Sequence, residues 1–248
     1  MSQTFSARRY FSATAGAIRH QGRAMLAAAP WSLAAFLVSL PFAILAASLA
    51  WTGSGLYLLL ALVSLIAFAR VTFAWHRVVV LGGGANPDAA RGGSAEARHL
   101  VVFGVLVLIV AILARATGDL PYVLYMMMNG PDTNAFLAAL AAAVLVVWLP
   151  VLYCVAVLAL SLPRTAVTGD AGLRGIRAAM PYPRWPLVLA LAVLVSLGGF
   201  AHSALTEYLH YATNEGLLWT AVYVVLFAVM TFVAAAMVAV AYRDGVAR

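Results

Sequence analysis

The sequence predicts an all-α polytopic membrane protein, with six transmembrane helices arranged as three hairpins plus amphipathic helices at the membrane interface. Hydrophobic residues make up 65% of the 248 residues and charged residues only 9%, whereas a water-soluble domain carries roughly a quarter charged residues. The apolar runs are about twenty residues long, the length that crosses roughly 30 Å of hydrocarbon as a helix. They lack the alternation of apolar and polar residues that a transmembrane β-barrel needs, which excludes that class.

The hydropathy pattern defines six spans. They are expected at residues 30–51, 54–78, 99–116, 134–162, 186–208 and 217–241. Pro41 and Pro150 lie inside the first and fourth spans, where a kink is tolerated because neighbouring groups satisfy the freed backbone. The loop 118–133 is expected to dip into the interface or to cover that end of the bundle.

Residues 1–29 form a polar segment that contains arginine but no acidic residue. Plotted at helical period, one face carries Phe11, Ala15, Ile18, Gly22 and Met25. With arginines beside it, this face is typical of a helix in the membrane interface. We therefore expect a cytoplasmic interfacial segment, 1–29, ahead of a transmembrane domain, 30–248. A mitochondrial transit peptide has a similar composition, so a mitochondrial inner membrane stays as the alternative to a bacterial one, which the absence of lysine favours.

The charged residues predict the orientation. One side of the membrane carries nearly all the arginines: Arg8, Arg9, Arg19, Arg23, Arg77, Arg91, Arg98, Arg164, Arg174, Arg177, Arg184, Arg243 and Arg248. The other side carries Arg115. Arginine excess marks the cytoplasmic side, so both termini are expected there. The net charge of +7 is then explained by anionic lipid headgroups as partners, with no nucleic acid involved.

A short repeat marks two helix exits. Residues 77–82 and 164–169 both read Arg-x-x-Val-x-Gly, and each is followed by a polar stretch, 83–98 or 170–185. The second stretch predicts a short amphipathic surface helix with Asp170 as its N-cap. The chain is thus expected to consist of three units, each a surface segment followed by a helical hairpin.

These features give the chain a resemblance to a known group of proteins. The lead-in from Phe5, the second-span exit Phe73–Gly82 and the surface helix near 170–180 resemble the YciC-like bacterial inner-membrane proteins. They are also similar to the membrane domain attached to some glycerophosphodiester phosphodiesterases. The resemblance implies a six-helix inner-membrane fold and little more, since no catalytic residues are established for the membrane part. No phosphodiesterase domain is present, so that activity is not implied.

Five residues near the cytoplasmic ends of the second and fourth spans are candidates for binding a lipid phosphate or a partner's carboxylate. They are Arg70, Trp75, His76, Arg77 and Arg164. Arg70 is the only charge well inside a predicted span, where ionisable residues are costly and often functional. The alternatives are that Arg70 extends its side chain to the headgroups and that the others are ordinary interfacial anchors. No acidic partner for Arg70 is expected within a span.

The histidines offer little metal or haem chemistry. Glu207 and His210 are three residues apart on one helix face, and with His202 they form a weak candidate metal site. A bis-histidine haem needs histidines on two helices at one depth. His76 and His99 are the pair to consider, but both are expected at or beyond helix ends, so no haem is predicted.

The other candidate sites for a metal or a cofactor are also weak. Met126, Met127 and Met128 form a cluster of a kind that can bind copper(I), although such a cluster is more often a contact surface. Cys154 is expected to be a small buried hydrophobe. No phosphate loop, nucleophile elbow or zinc-protease motif occurs in the sequence. No cofactor is predicted.

Three functional classes follow. We expect a non-catalytic inner-membrane protein that acts as a structural or accessory subunit or an assembly factor, through contacts with lipids or other membrane proteins. The alanine-rich faces at 138–143 and 234–236 would pack closely against neighbouring helices. The alternatives are a small-molecule or lipid transporter, which needs more midplane polar features than are present, and an intramembrane enzyme dependent on a metal or histidine.

Overall fold

The computed structural model describes residues 6–49, 55–82, 93–128, 133–170, 180–212 and 214–246, and all its regular elements are helices. In chain order the helices are α1 (Ala7–Ala28), α2 (Pro30–Leu49), α3 (Gly55–Leu81), α4 (Gly93–Gly118), α5 (Leu120–Met127), α6 (Thr133–Ala159), α7 (Ser161–Thr168), α8 (Trp185–Tyr211) and α9 (Asn214–Val246). The predicted all-α class is confirmed.

The helices have the length and composition of membrane spans. Five stretches qualify, namely Gly55–Leu81, Gly93–Met127, Asn134–Thr168, Trp185–Tyr211 and Glu215–Val246. A sixth arises if α1 and α2, which meet at 90°, are counted together. α2 alone has 20 residues, or about 30 Å of helix. The chain is therefore a polytopic membrane protein, and each predicted span falls on one of these helices.

The predicted amphipathic helix at the N-terminus is present, but its apolar face is divided. α1 buries Tyr10, Thr14, Ala17 and Met25, and it packs against α3 and α9. Of the face expected from the sequence, Met25 belongs to this buried set, while residues 11 and 18 stay 45% and 39% exposed. α1 therefore docks on its own bundle, and its second apolar strip, with Phe11 and Ile18, stays exposed.

The bundle is densely packed at one end, which we call the packed end. There the last turns of α3 and α9 lie together beneath α1 and α7, and residues 236–242 of α9 are all buried. At 27 and 33 residues, α3 and α9 are roughly 40 and 50 Å long. Both are therefore longer than the hydrocarbon core is thick. The start of α1 and the end of α9 both lie at the packed end.

The opposite, open end is loosely packed around an arm formed by Val107–Gly118 of α4, by α5 and by residues 134–147 of α6. None of these arm residues is buried. The prediction of a loop at 118–133 is wrong over residues 120–127, which form helix α5. Pro121 lies at the start of this helix, where its fixed φ angle is favourable. Two predicted hairpins, α2 with α3 and α8 with α9, pack closely, whereas α4 and α6 contact each other much less.

The repeated motif ends α3 and α7 in the same way. Gly82 and Gly169 follow α3 and α7 with φ of 81° and 70°, the left-handed conformation that glycine adopts without strain at a helix C-terminus. Both helices thus end at the predicted exits. The polar stretch 83–92 and the surface helix predicted within 171–179 lie outside the described residues.

Candidate functional site

Arg70 and Glu96 form an ion pair in a groove between α3 and α4. Arg70 Nε donates to Glu96 Oε1 at 2.8 Å, and the two side chains are 56% and 25% exposed. Glu96 lies in the first turn of α4, which starts six residues before the predicted span. The expectation that Arg70 has no acidic partner within a span is therefore wrong, because Glu96 belongs to the candidate span Gly93–Met127. Its pairing places Arg70 level with the start of α4.

The walls of this groove are apolar. The groove is open to the outside and has a volume of about 290 Å³, and the other residues that line it are Ile66, Ala69, Gly93, Ala97 and Leu100. They recur at intervals of three and four along each helix, so each wall is one helix face. A groove with one ion pair and hydrocarbon walls suits an amphiphilic ligand, whose charged head meets the pair and whose apolar part lies along the walls.

His76 and His99 come together inside the packed end. Their ring centroids are 5.5 Å apart at 70°, and the residues are 1% and 0% exposed. His99 Nδ1 lies 3.1 Å from the Leu162 carbonyl oxygen and His99 Nε2 lies 3.1 Å from Thr72 Oγ1. Because a carbonyl only accepts, Nδ1 carries a proton. The expectation that these histidines fall at helix ends is wrong, because α3 and α4 are longer than predicted.

The remaining predicted binding residues do not form one headgroup cluster. Trp75 is buried, and its ring packs against the tilted ring of Phe232 in α9, with the centroids 4.6 Å apart. The Arg77 guanidinium lies 5.5 Å over the Phe73 ring, and Arg164 Nη2 pairs with Asp170 Oδ2 at 2.5 Å. The interior positions of Trp75 and His76 replace the interfacial positions expected for them. Of the five predicted binding residues, Arg70 is the one that lines the groove.

The weak metal candidates near the open end are not brought together. His202 Nδ1 donates to the Ile44 carbonyl oxygen at 3.0 Å and so joins α8 to α2. His210 Nδ1 donates to the Thr206 carbonyl oxygen of its own helix at 2.8 Å, and Glu207 is exposed. Within the described parts of the chain, no three histidine, cysteine or acidic side chains are grouped as a metal site requires.

Two further sequence expectations concern exposed sulfur. Met126 and Met127 lie exposed on α5, so their side chains are accessible to lipid or to another protein. Cys154 is exposed on α6. Its predicted burial is wrong, because this part of α6 turns that side chain away from the bundle.

An aromatic clasp that was not expected from the sequence holds α1 to α9. The Tyr10 hydroxyl donates to the Met237 carbonyl oxygen at 2.9 Å, and the Tyr10 and Tyr182 rings stack at 4.5 Å. The Tyr182 hydroxyl donates to the Asp244 carboxylate. Burial and this carboxylate raise the pKa of Tyr182 to about 12. Tyr10 lies one residue before the predicted apolar face, so a broader face would have included it.

No protein-family model, characterised protein or solved structure matches this chain. The resemblance to YciC-like proteins accordingly stays a prediction.

Proposed function

We propose that the protein is a non-catalytic membrane component that binds other membrane proteins and lipids, as a structural or accessory subunit or an assembly factor. The observation that carries this proposal is the arm. Two long helices and α5 extend from a densely packed bundle, and none of the arm residues is buried by the protein itself. The arm therefore exposes surface on several sides of its helices. Contact with lipid along one helix face would need less exposed surface than this.

The arm also has the composition for close helix contacts. Ala138, Ala141 and Ala142 are exposed on α6, and small residues let helix backbones approach closely in a bilayer, where packing rather than hydrophobicity drives association. The second alanine-rich face expected to meet a partner is used internally, because Ala234 and Ala236 are buried in the packed end. Partner contact is accordingly proposed for the arm.

The test is purification from native membranes in a gentle detergent, with co-purifying proteins identified and counted. We expect a partner at fixed stoichiometry. A bulky side chain forced into a packed interface costs about 1–3 kcal/mol, so Ala142→Phe should weaken association by roughly 5- to 150-fold. The matched control is Ala221→Phe, the same change at an exposed position of α9. A protein that carries neither partner nor lipid, with Ala142→Phe indistinguishable from the control, would contradict the proposal.

The histidines support a role without catalysis. His99 and His202 each use Nδ1 to donate to a backbone carbonyl of another helix, so they hold helices together. Substitution of His202 or Glu207 should change stability at most. An activity of the purified protein that either substitution abolishes would favour the enzyme alternative instead.

We also propose that the protein resides in a bacterial inner membrane with the packed end in the cytoplasm. Supporting this orientation, Arg77, Arg98, Arg164 and Arg243 lie on the last turns of α3, the first turns of α4, α7 and the end of α9, all of which meet at that end. Arginine excess is characteristic of cytoplasmic surfaces. Activity of a terminal reporter that functions only outside the cytoplasm would exclude this orientation.

A further inference from the structure

We infer that the groove between α3 and α4 binds a zwitterionic aminophospholipid, with Arg70 on its phosphate and Glu96 on its primary ammonium group. This inference rests on the lipid-binding part of the proposed function and specifies the lipid. The ion pair of Arg70 and Glu96 carries no net charge. An aminophospholipid headgroup is also net neutral, and it offers the opposite charge to each side chain.

The phosphate half of the site is built on Arg70. Its contact with Glu96 uses Nε, which leaves the Nη1 and Nη2 edge of the guanidinium for a second oxyanion. That edge is a planar fork that fits two phosphate oxygens, and the side chain is 56% exposed. Gly93 also lines the groove. The first amides of α4 have no partner within the helix and favour an anion there.

The ammonium half of the site is built on Glu96. One carboxylate oxygen, Oε1, meets Arg70, and the second remains able to accept from an ammonium group. A phosphoglycerol headgroup brings only negative charge towards this carboxylate, so Glu96 acts against anionic lipids. A choline headgroup has no N–H to donate. The anionic headgroups expected from the sequence as partners are thus disfavoured at this groove.

The apolar walls of the groove suit the acyl chains of a phospholipid, and its position at the start of a span suits the headgroup. Glu96 lies in the first turn of α4, where a span begins and headgroups are found. Ile66 and Leu100 extend the groove from the ion pair along α3 and α4, in the direction of the bilayer interior, and an acyl chain can follow them. No covalent step is involved.

The test measures lipid binding to the purified full-length protein. Phosphatidylethanolamine, phosphatidylcholine and phosphatidylglycerol with identical acyl chains are titrated in detergent, and bound lipid is counted by native mass spectrometry. Exposed charge pairs contribute up to about 1 kcal/mol, so we expect an ethanolamine preference of about fivefold over the other two lipids. Arg70→Gln should weaken binding of all three lipids. Glu96→Gln should abolish discrimination between ethanolamine and glycerol headgroups.

Two controls separate recognition from simple charge and from stability. Arg98→Gln removes a charge two residues from Glu96. Arg98 does not line the groove, because its Nη1 donates to the Gly169 carbonyl oxygen at 2.7 Å. The lipid preference should therefore persist in this variant. An ion pair that only fixes α3 to α4 would give unchanged lipid ratios in every variant, with the melting temperature lowered by each single change and restored by the Arg70→Glu/Glu96→Arg exchange. That result, or a preference for phosphatidylglycerol, would overturn the inference. If the purified protein still binds its partner, the proposed function stands although the lipid inference fails. If it binds neither lipid nor partner, the inference and the proposed function are both overturned.

Discussion

The attachment of α1 to the bundle should depend on a single tyrosine. Tyr10→Phe removes the hydroxyl that donates to the Met237 carbonyl oxygen at 2.9 Å. The net loss should be about 1 kcal/mol, since that carbonyl keeps its place in the backbone bonding of α9. Tyr10→Ala also removes a fully buried ring and its stacking on Tyr182. The cost should then reach about 3–5 kcal/mol, the range for aromatic-to-alanine changes in packed interiors.

The assay is hydrogen exchange of the backbone amides in detergent, followed peptide by peptide. Local opening of α1 should become about fivefold more frequent in Tyr10→Phe and more than a hundredfold more frequent in Tyr10→Ala, with α6 unchanged. The neighbouring change Phe11→Ala, at a residue that is 45% exposed, should cost less than about 1 kcal/mol. Equal exchange of α1 in Tyr10→Ala and Phe11→Ala would refute the assignment of the docking energy to the clasp.

Three further predictions concern glycines and a tyrosine. A Cβ at Gly198 would lie 3.1 Å from Phe227 Cε2, whereas a Cβ at Gly199 would meet nothing within 4 Å. Gly199→Ala should therefore raise the melting temperature, and Gly198→Ala should raise it less or lower it. Gly169 has φ of 70°, so Gly169→Ala should lower stability by about 1 kcal/mol, and Gly169→Asn, which tolerates that conformation better, should recover part of it in thermal unfolding. The pKa of Tyr182 is about 12 in the folded protein, above its ordinary value of 10, so its stabilisation is complete below pH 10 and is lost as the pH rises from 10 to about 12. Tyr182→Phe should flatten that alkaline decline, and an unchanged decline in thermal scans would count against the clasp.

The local properties of the chain could be predicted from its sequence. Span positions follow from runs of apolar residues, because hydrocarbon requires each backbone group to be satisfied within its own helix. The helix exits at Gly82 and Gly169 follow from the glycine that ends each motif. Boundaries were harder to predict, since α3 and α4 continue past the apolar runs into regions covered by α1 and α7. The error at the start of α4 placed Glu96 in a loop and separated it from Arg70.

The contacts of the candidate site could not be predicted. Arg70 meets Glu96, and His99 meets Thr72 and Leu162, only because particular helix faces and depths coincide. A shift of one residue turns a helix by 100 degrees and removes such contacts, as the geometry of about 3.6 residues per turn requires. The apolar spans have weakly amphipathic sequences, so their composition does not indicate which face is turned inward.

The sequence by itself determined that this chain is an α-helical membrane protein, with its membrane-length helices placed to within several residues and its arginines gathered near certain helix ends. Only the tertiary structure decided that α1 and α7 cover the packed end, that no residue of the arm is buried, and that Arg70 faces Glu96 in an open groove. The physical reason is that entry into hydrocarbon depends on the hydropathy of each segment alone. Association within hydrocarbon depends on the fit of one helix face to another.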